Sequence, residues 1–254
     1  MLCKPTFDIH NCYHRVCEDL LLLFMKVKIC GITNLEDAMQ AISFGADALG
    51  FQVGMRHKTE DELSPEEAKS IIASLSPFVS YVMVTHLQDA KTIISLLESI
   101  QKTTTVQLHD DDIGLKEISA IRKKIPSVRI IKAIHVVVED GSEDPLQKLH
   151  NYDGIADALI LDSVNLKEDR IGGTGMTHDW TLSKKMVDNS HLPVILAGGL
   201  TPDNVQYAIR SVGPYAVDVN SGVKISRTSR RKDPVKVRNF IYRAKNVLFS
   251  SSNE

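Results

Sequence analysis

The chain has 254 residues, with 30 basic and 32 acidic side chains and a formal charge of −2. This near balance gives no electrostatic reason to expect nucleic acid or an anionic membrane as a partner. No apolar run approaches the ~20 residues of a membrane-spanning helix. The densest run, "LLLLFM" at 20–25, is short and follows two acids rather than the basic leader of a secretory signal. We therefore expect a soluble, cytoplasmic protein.

The cysteines are Cys3, Cys12, Cys17 and Cys30. Because most of them fall in the first 24 residues, they predict no disulfide framework, and a reducing compartment is favoured. Cys12, His14 and Cys17 have the side chains of a metal site, but a fourth ligand at a recognisable spacing is missing, so we predict none. Residues 1–24 are interpreted as an extension outside the fold. A single domain is predicted over 25–254.

From Lys26 onward, short β-branched runs alternate with amphipathic helical stretches. Strands are predicted at 26–30, 47–53, 78–85, 104–109, 129–136, 158–162, 193–198 and 216–220. Most are apolar almost throughout, as expected for parallel strands covered on both faces. Eight strands, each followed by a helix, in about 230 residues predict a (β/α)8 TIM barrel. The alternative is a doubly wound open sheet, which usually has a Gly-rich turn after its first strand, whereas "CGITNLED" has one glycine.

Three helix starts carry clear sequence signals. Ser64 is a predicted N-cap, with Pro65 at the first helical position and acids in the first turn. Further helices are predicted to begin at Thr201-Pro202-Asp203 and after Asp233-Pro234.

Polar or flexible residues follow the predicted strands, at the face where barrels build their active sites. In chain order they are Cys30, Gln52, Thr85, His109, His135, Asp162, Gly198 with Gly199, and Asn220 with Ser221 and Gly222. Barrels frequently bind a phosphate between the loops after strands seven and eight. Here these loops read "LAGGLTP" and "VNSGVK", whose glycines let the backbone approach an anion closely. The loops predict a phosphosugar ligand, although Gly198 and Gly199 could instead serve only a tight turn.

Two side chains at the predicted mouth suit acid–base chemistry. Asp162 ends the apolar run "ALILD", where desolvation favours the protonated acid, although it could also cap the next loop. Cys30 faces the same mouth, and it could be either a buried filler or a thiolate base. Together with the phosphate loops they suggest isomerisation of a phosphorylated sugar. "GGTG" at 172–175 lacks the full nucleotide-binding spacing and is interpreted as a hinged lid.

The motifs "KICGIT", "ADALGF", "VQLH", "KAI", "LILDS", "GGTG", "PVILAGGLTPDNV" and "VDVNSG" stand in an order that resembles the phosphoribosylanthranilate isomerase family. The resemblance covers roughly residues 26 to 245. It implies an Amadori rearrangement in tryptophan biosynthesis, with Cys30 as general base and Asp162 as general acid. It also implies that Gly198, Gly199, Ser221 and Gly222 bind the substrate phosphate. The expected partner is a small phosphoribosyl substrate, with no metal or organic cofactor, and the choice between monomer and homodimer stays open.

The chain departs from the family pattern on the side of the aromatic acid. The family's carboxylate-binding Arg lies shortly before the second helix, and Asp61 stands at that place here. Asn220 and Lys224 replace a common Ser and Glu. We predict that Arg56 binds the carboxylate, with Arg170 as second choice. The alternative functions are an isomerase of another phosphoribosyl-amine or phosphosugar, and a catalytically silent phosphoribosyl-ligand binder.

Overall fold

A computed structural model of the chain describes residues 25–100, 102–136, 145–165, 170–171 and 180–247, in which strands and helices alternate. The barrel strands are β1 (Lys26–Ile29), β2 (Ala48–Gln52), β3 (Ser80–Thr85), β4 (Thr105–Leu108), β5 (Arg129–Val136), β6 (Ala158–Asn165), β7 (Val194–Leu196) and β8 (Ala216–Val219). The helices are α1 (Leu35–Ser43), α2 (Pro65–Ala73), α3 (Ala90–Ser99), α4 (Leu115–Lys124), α5 (Pro145–His150), α6 (Trp180–Asn189), α7 (Val205–Val212) and α8 (Pro234–Lys245).

The eight strands form one closed parallel sheet. Each strand pairs with its neighbours in the sequence, and β8 returns to β1 through Val27 and Val217. This closure confirms the predicted (β/α)8 barrel, because a doubly wound sheet would keep two free edges. A two-residue strand, Arg170–Ile171, pairs antiparallel with the end of β6. That pairing carries β6 to Asn165, beyond the predicted end at 162.

Apolar side chains fill two layers, one between the sheet and the helices and one inside the barrel. Ile29 and Leu49 point outward and pack with helix residues such as Ala38. Val82 and Ile160 point inward and belong to a separate buried cluster inside the barrel. The strands are thus buried on both faces, which is why they are apolar almost throughout.

Two of the three predicted helix starts are confirmed. The Ser64 side chain accepts from Glu67 N, the Glu67 side chain accepts from Ser64 N, and α2 begins at Pro65. Asp233 caps α8 by accepting from the backbone N–H groups of Val235 and Lys236.

The prediction of a helix start at Thr201-Pro202-Asp203 is wrong by three residues, because a turn occupies 202–204 and α7 begins at Val205. Asn204 holds this turn, since its side chain accepts from Thr201 N and donates to Gly199 O. The residues that predicted a helix start stabilise the turn before the helix instead.

Residues 1–24, the predicted extension, lie outside the described residues, and so do Cys12, His14 and Cys17, the set considered as a metal site. In the described part of the chain, no helix is both long enough and apolar enough to cross a membrane.

Candidate active site

A cavity opens at the carboxyl-terminal ends of the barrel strands. Cys30, which follows β1, and Asp162, in β6, both line it, with β7 and β8 between them in the sheet. Four lining side chains have a buried polar atom without a partner among the described residues: Asp61 Oδ1, His86 Nε2, Gln107 Oε1 and Asp218 Oδ1. Because buried polar atoms are normally hydrogen-bonded, such a cluster indicates a ligand site. A larger groove between the loop after β2 and α3 contains neither Cys30 nor Asp162.

An ion pair lies beside Cys30 inside the barrel. Lys28 Nζ is 2.9 Å from Asp218 Oδ2, and both side chains are less than a tenth exposed. Side chains alternate along a strand, so Lys28 and Cys30 share the inward face of β1. The register of β1 and β8 sets Lys28 opposite Asp218. A cation is therefore held within the interior, close to the candidate base.

Burial raises the pKa of the Cys30 thiol, and this effect outweighs the lowering by the Lys28 ammonium. Burial alone would lower the pKa of Lys28, but Asp218 and Cys30 raise it above its ordinary value. The Lys28 ammonium is thus favoured, while burial opposes formation of the Cys30 thiolate. Among the described residues Cys30 has no disulfide partner, and it is 5% exposed.

His109 is the neighbour of Asp162 across the mouth. Its Nε2 lies 3.5 Å from Asp162 Oδ2, and its Nδ1 lies 3.0 Å from Gln107 Nε2. Since the Gln107 amide donates to Nδ1, the ring proton is on Nε2 and faces Asp162. Burial, followed by the nearby His135 and His86, keeps the pKa of His109 well below its ordinary value. His109 is therefore a neutral donor directed at the candidate acid.

Two further histidines surround His109. The ring of His86 stacks on it with centroids 5.2 Å apart, and the ring of His135 meets it edge-on at 5.0 Å. Burial lowers the pKa of His86 to about 4. His135 Nδ1 lies 2.8 Å from Asp111 Oδ2. The three rings form a packed wall beside Asp162.

The predicted phosphate loops lie against each other. A Cβ placed on Gly222 would lie 1.9 Å from Leu200 O, so only glycine permits this approach. Gly198 and Gly199 have φ values of 80° and 66°. Among the described residues, the backbone N–H groups of these two glycines, Ser221 and Gly222 have no acceptor. Free amides on two adjoining loops suit an anion, and of these four residues Ser221 is the one that lines the cavity.

A second polar network borders the backbone next to Cys30. Asp61 Oδ2 is 2.7 Å from Lys224 Nζ and accepts from Asn220 Nδ2 at 2.9 Å. Lys232 Nζ donates in turn to Asn220 Oδ1 at 2.6 Å. A Cβ on Gly31 would come within 2.7 Å of both Asp61 Oδ2 and Asn220 Oδ1, so the missing side chain of this glycine leaves room for the network. Its φ of +67° also favours glycine.

Comparison with known proteins identifies the architecture of this site. A sequence model of the family described as N-(5'-phosphoribosyl)anthranilate (PRA) isomerase matches residues 27–243, most of the chain. The chain belongs to the phosphoribosylanthranilate isomerase family. It is 42% identical to N-(5'-phosphoribosyl)anthranilate isomerase 2 of Methanosarcina mazei over 90% of this chain and 98% of that one.

Solved structures of the family agree with this assignment. The crystal structure of phosphoribosyl anthranilate isomerase from Thermotoga maritima superposes with a TM-score of 0.74 and 36% identity, covering 87% of this chain and 99% of that one. A phosphoribosyl anthranilate isomerase in complex with reduced 1-(o-carboxyphenylamino)-1-deoxyribulose 5-phosphate superposes with a TM-score of 0.71 and 34% identity, over the same shares of the two chains. The resemblance predicted from the motifs is therefore confirmed.

Arg56, the first choice for the carboxylate, is absent from the residues that line the cavity. Arg56 Nη2 is 2.8 Å from Asp112 Oδ2 and its Nε is 3.4 Å from Asp110 Oδ2, with the side chain 41% exposed. Arg170 belongs to the short strand paired with β6, and its side chain is outside the described part of the structure. The "GGTG" lid at 172–175 is likewise outside the described residues. All three remain predictions.

Other strand-end residues have structural contacts. Thr85 Oγ1 donates to Gly54 O and accepts from Leu87 N, which fixes the loop after β3. Gln52 lines the cavity and accepts from Thr59 Oγ1.

Sequence reasoning missed the two buried ion pairs, Lys28–Asp218 and Asp61–Lys224. A signal for the first was present, because Lys28 and Asp218 each stand two residues before a strand-end polar residue, on the inward face. No local pattern joins Asp61 to Lys224, since they belong to the loops after β2 and β8. Among the described residues, one cluster has metal-ligand spacing, His150 with Asp153 and His191, and it is exposed on segments that precede β6 and β7, away from the cavity.

Proposed function

We propose that the chain catalyses the Amadori rearrangement of N-(5'-phosphoribosyl)anthranilate to 1-(o-carboxyphenylamino)-1-deoxyribulose 5-phosphate, a step of tryptophan biosynthesis. Membership of the isomerase family supports this reaction. The observation that carries the residue roles is that one cavity contains a buried thiol, Cys30, and a buried carboxyl, Asp162, on separate strands. A base and an acid on different sides of a substrate suit a proton shift between neighbouring atoms.

Asp162 is the proposed general acid. It donates a proton to the ribose ring oxygen, the ring opens, and the anomeric carbon and the anilino nitrogen form a protonated Schiff base. His109 Nε2, 3.5 Å from Asp162 Oδ2, orients this carboxyl and stabilises its anion once the proton has left.

Cys30 is the proposed general base. Its thiolate removes the proton from the adjacent sugar carbon, and the electrons flow into the carbon–nitrogen double bond to give an enolamine. Tautomerisation to the ketone returns the protons, so the reaction is neutral overall. Burial raises the pKa of the thiol, and the Lys28 ammonium beside it stabilises the thiolate that must form.

The phosphate is assigned to the free amides of Gly198, Gly199, Ser221 and Gly222. These groups need no side-chain charge, because aligned N–H dipoles attract a dianion directly. The strand order supports this assignment, because β7 and β8 lie between β6, which contains the acid, and β1, which the base follows.

The test is turnover of phosphoribosylanthranilate by the purified protein, followed through the loss of anthranilate-type fluorescence. Cys30→Ala and Asp162→Asn are each expected to lower kcat by about 10²-fold or more, the scale for loss of a positioned base or acid. Circular dichroism and the melting temperature should show that both variants remain folded. Near-normal turnover by Cys30→Ala would return this residue to the role of a buried filler.

The same assay separates the alternatives. A silent binder would retain affinity for the substrate without turnover in the wild type. An isomerase of another phosphoribosyl-amine would turn over that compound with a higher kcat/KM than phosphoribosylanthranilate.

A further inference from the structure

The network beside Cys30 contains more positive than negative charge. Lys224 and Lys232 are both buried. The contacts run from Lys232 through Asn220 and Asp61 to Lys224. Among the described residues, Asp61 is the one carboxylate in this chain of contacts. The uncharged Asn220 side chain links Lys232 to Asp61 by hydrogen bonds. Burial lowers the pKa of Lys232 to about 8, an effect that the Asp61 charge only partly offsets. Asp37 accepts from Lys232 N and also raises the pKa of Lys232, but its carboxylate is paired with Arg231. The excess of one buried cation in the chain of contacts is costly unless a further anion joins it.

Of these residues, Lys224 meets the cavity. It lines the cavity together with Asp61 and Asn220, while its side chain is only 4% exposed. An ammonium has three N–H donors, and Asp61 Oδ2 accepts one of them. No other acceptor for this ammonium stands among the described residues, so its remaining donors can meet a ligand.

The other cationic side chains that line the cavity are less suited to hold a ligand charge. His57, Lys58 and Arg227 are exposed, so water screens any pairing they make. Arg56 pairs with Asp110 and Asp112 and is absent from the cavity lining. A buried ammonium in a low-dielectric wall binds a desolvated carboxylate more strongly than an exposed one does.

We propose that Lys224 binds the aromatic carboxylate of the substrate, and that Asp61 is the positioning residue that holds Lys224 at the cavity wall. This inference rests on the proposed function, which supplies a substrate with an ortho carboxylate. The ligand carboxylate becomes the second anion of the network and balances its two lysines. Lys224 is thus a specificity-determining residue contributed by the loop after β8, and Asp61 reaches it from the loop after β2.

The experiment compares two inhibitors that differ by the carboxylate alone. They are reduced 1-(o-carboxyphenylamino)-1-deoxyribulose 5-phosphate and the same compound made with aniline in place of anthranilate. In the wild type, the carboxylate is expected to improve affinity by at least ~10-fold, which corresponds to about 1.4 kcal/mol. In Lys224→Gln this preference should fall to about 3-fold or less, with affinity for the aniline compound nearly unchanged. The matched control is Lys26→Gln, which removes a lysine paired with Asp47 at the other end of β1 and should keep the full preference.

Lys224→Gln leaves Asp61 buried without its cation, so it could fail to fold. Asp61→Asn combined with Lys224→Gln removes both charges and is measured in the same way, with loss of the carboxylate preference expected. A full preference in a folded variant that lacks Lys224 overturns the inference. Loss of the preference in Arg56→Gln but not in Lys224→Gln assigns the carboxylate to Arg56 instead. Turnover of phosphoribosylanthranilate by the wild type tests the proposed function separately, because it does not depend on which cation meets the carboxylate.

Discussion

At the scale of single residues, the position of the Cys30 sulfur depends on an absent side chain. A Cβ on Gly50 of β2 would lie 2.8 Å from Cys30 Sγ and 3.1 Å from Lys28 Cε. Real Cβ atoms do not approach other atoms so closely, so the thiol or the lysine would have to move. The "ADALGF" motif therefore includes a glycine that makes room for the base and its cation on the adjacent strand.

Gly50→Ala should displace the thiol while leaving the barrel intact. We expect kcat to fall by at least ~10-fold with a smaller change in KM, because a misplaced base weakens the transition state more than substrate binding. Gly114→Ala is a matched control at the start of α4, where a Cβ would meet only the flexible end of Glu117. Equal kcat in the wild type and in Gly50→Ala would show that the sulfur position is not critical.

At the scale of the elements, the anion site is made by two loops that must lie together. The loops after β7 and β8 touch at Gly222 and Leu200, backbone against backbone. Asn204 holds the first loop by bonding Thr201 N and Gly199 O, which also delays the start of α7. The free amides of the two loops are brought next to each other by this packing, which neither loop achieves alone.

Gly222→Ala is expected to separate the loops and weaken phosphate binding by at least ~10-fold, since its Cβ would overlap the Leu200 carbonyl. The inhibition constant of ribose 5-phosphate, which lacks the aromatic acid, measures this effect directly. The melting temperature should also fall. An unchanged inhibition constant would remove Gly222 from the phosphate site.

One strand also contains a buried charge with a measurable pH signature. Lys132 of β5 is fully buried, and its Nζ donates to the carbonyl oxygens of Asp110 and Ala133. Burial lowers the pKa of Lys132 from 10.5 to about 8. Below pH 8 the Lys132 amine is protonated in both the folded and the unfolded state, and burying its charge lowers the unfolding free energy. Above pH 10.5 the amine is neutral in both states, so this loss disappears. The unfolding free energy therefore rises with pH between these two values.

Lys132→Met removes that cost at every pH. Between pH 7 and pH 10, the unfolding free energy of the wild type relative to the variant should rise by roughly 2–3 kcal/mol, as a pKa shift of this size implies. Urea unfolding at the two pH values measures it, and Lys26→Met, at an exposed lysine, is the control. A difference between wild type and Lys132→Met that is independent of pH would contradict a lowered pKa.

At the scale of the whole molecule, the barrel closes without residues 1–24. Met25 is buried against the core, and β1 begins at Lys26 between β2 and β8. All eight strands and their pairings lie within 26–219.

A chain that begins at Met25 is expected to fold and to keep kcat and KM within about 2-fold of the full chain, because the cavity-lining residues all follow this point. Melting temperature and turnover of the two chains measure this. Aggregation or loss of activity in the shorter chain would show that the extension packs onto the barrel.

Local sequence was sufficient for the alternation of strands and helices and for most strand ends. A parallel strand covered on both faces must be apolar, so the polar residue that ends it marks the mouth of the barrel. Cys30, His109 and Asp162 were found in this way, and their shared cavity follows from the closed topology. Helix starts were predictable where a cap signals them, as at Ser64 and Asp233.

The charges that act on these residues were decided by tertiary structure. Lys28 and Asp218 are 190 residues apart in the chain and meet only because the ring of strands brings the last strand back to the first. Asp61 and Lys224 likewise meet across two loops. The pKa of Cys30 depends most on its burial, which has no local signature, and then on Lys28, whose place on the same face of β1 could be read from strand alternation. Chemistry at strand ends is thus readable from the sequence, whereas the electrostatic field that tunes it exists only once the barrel has closed.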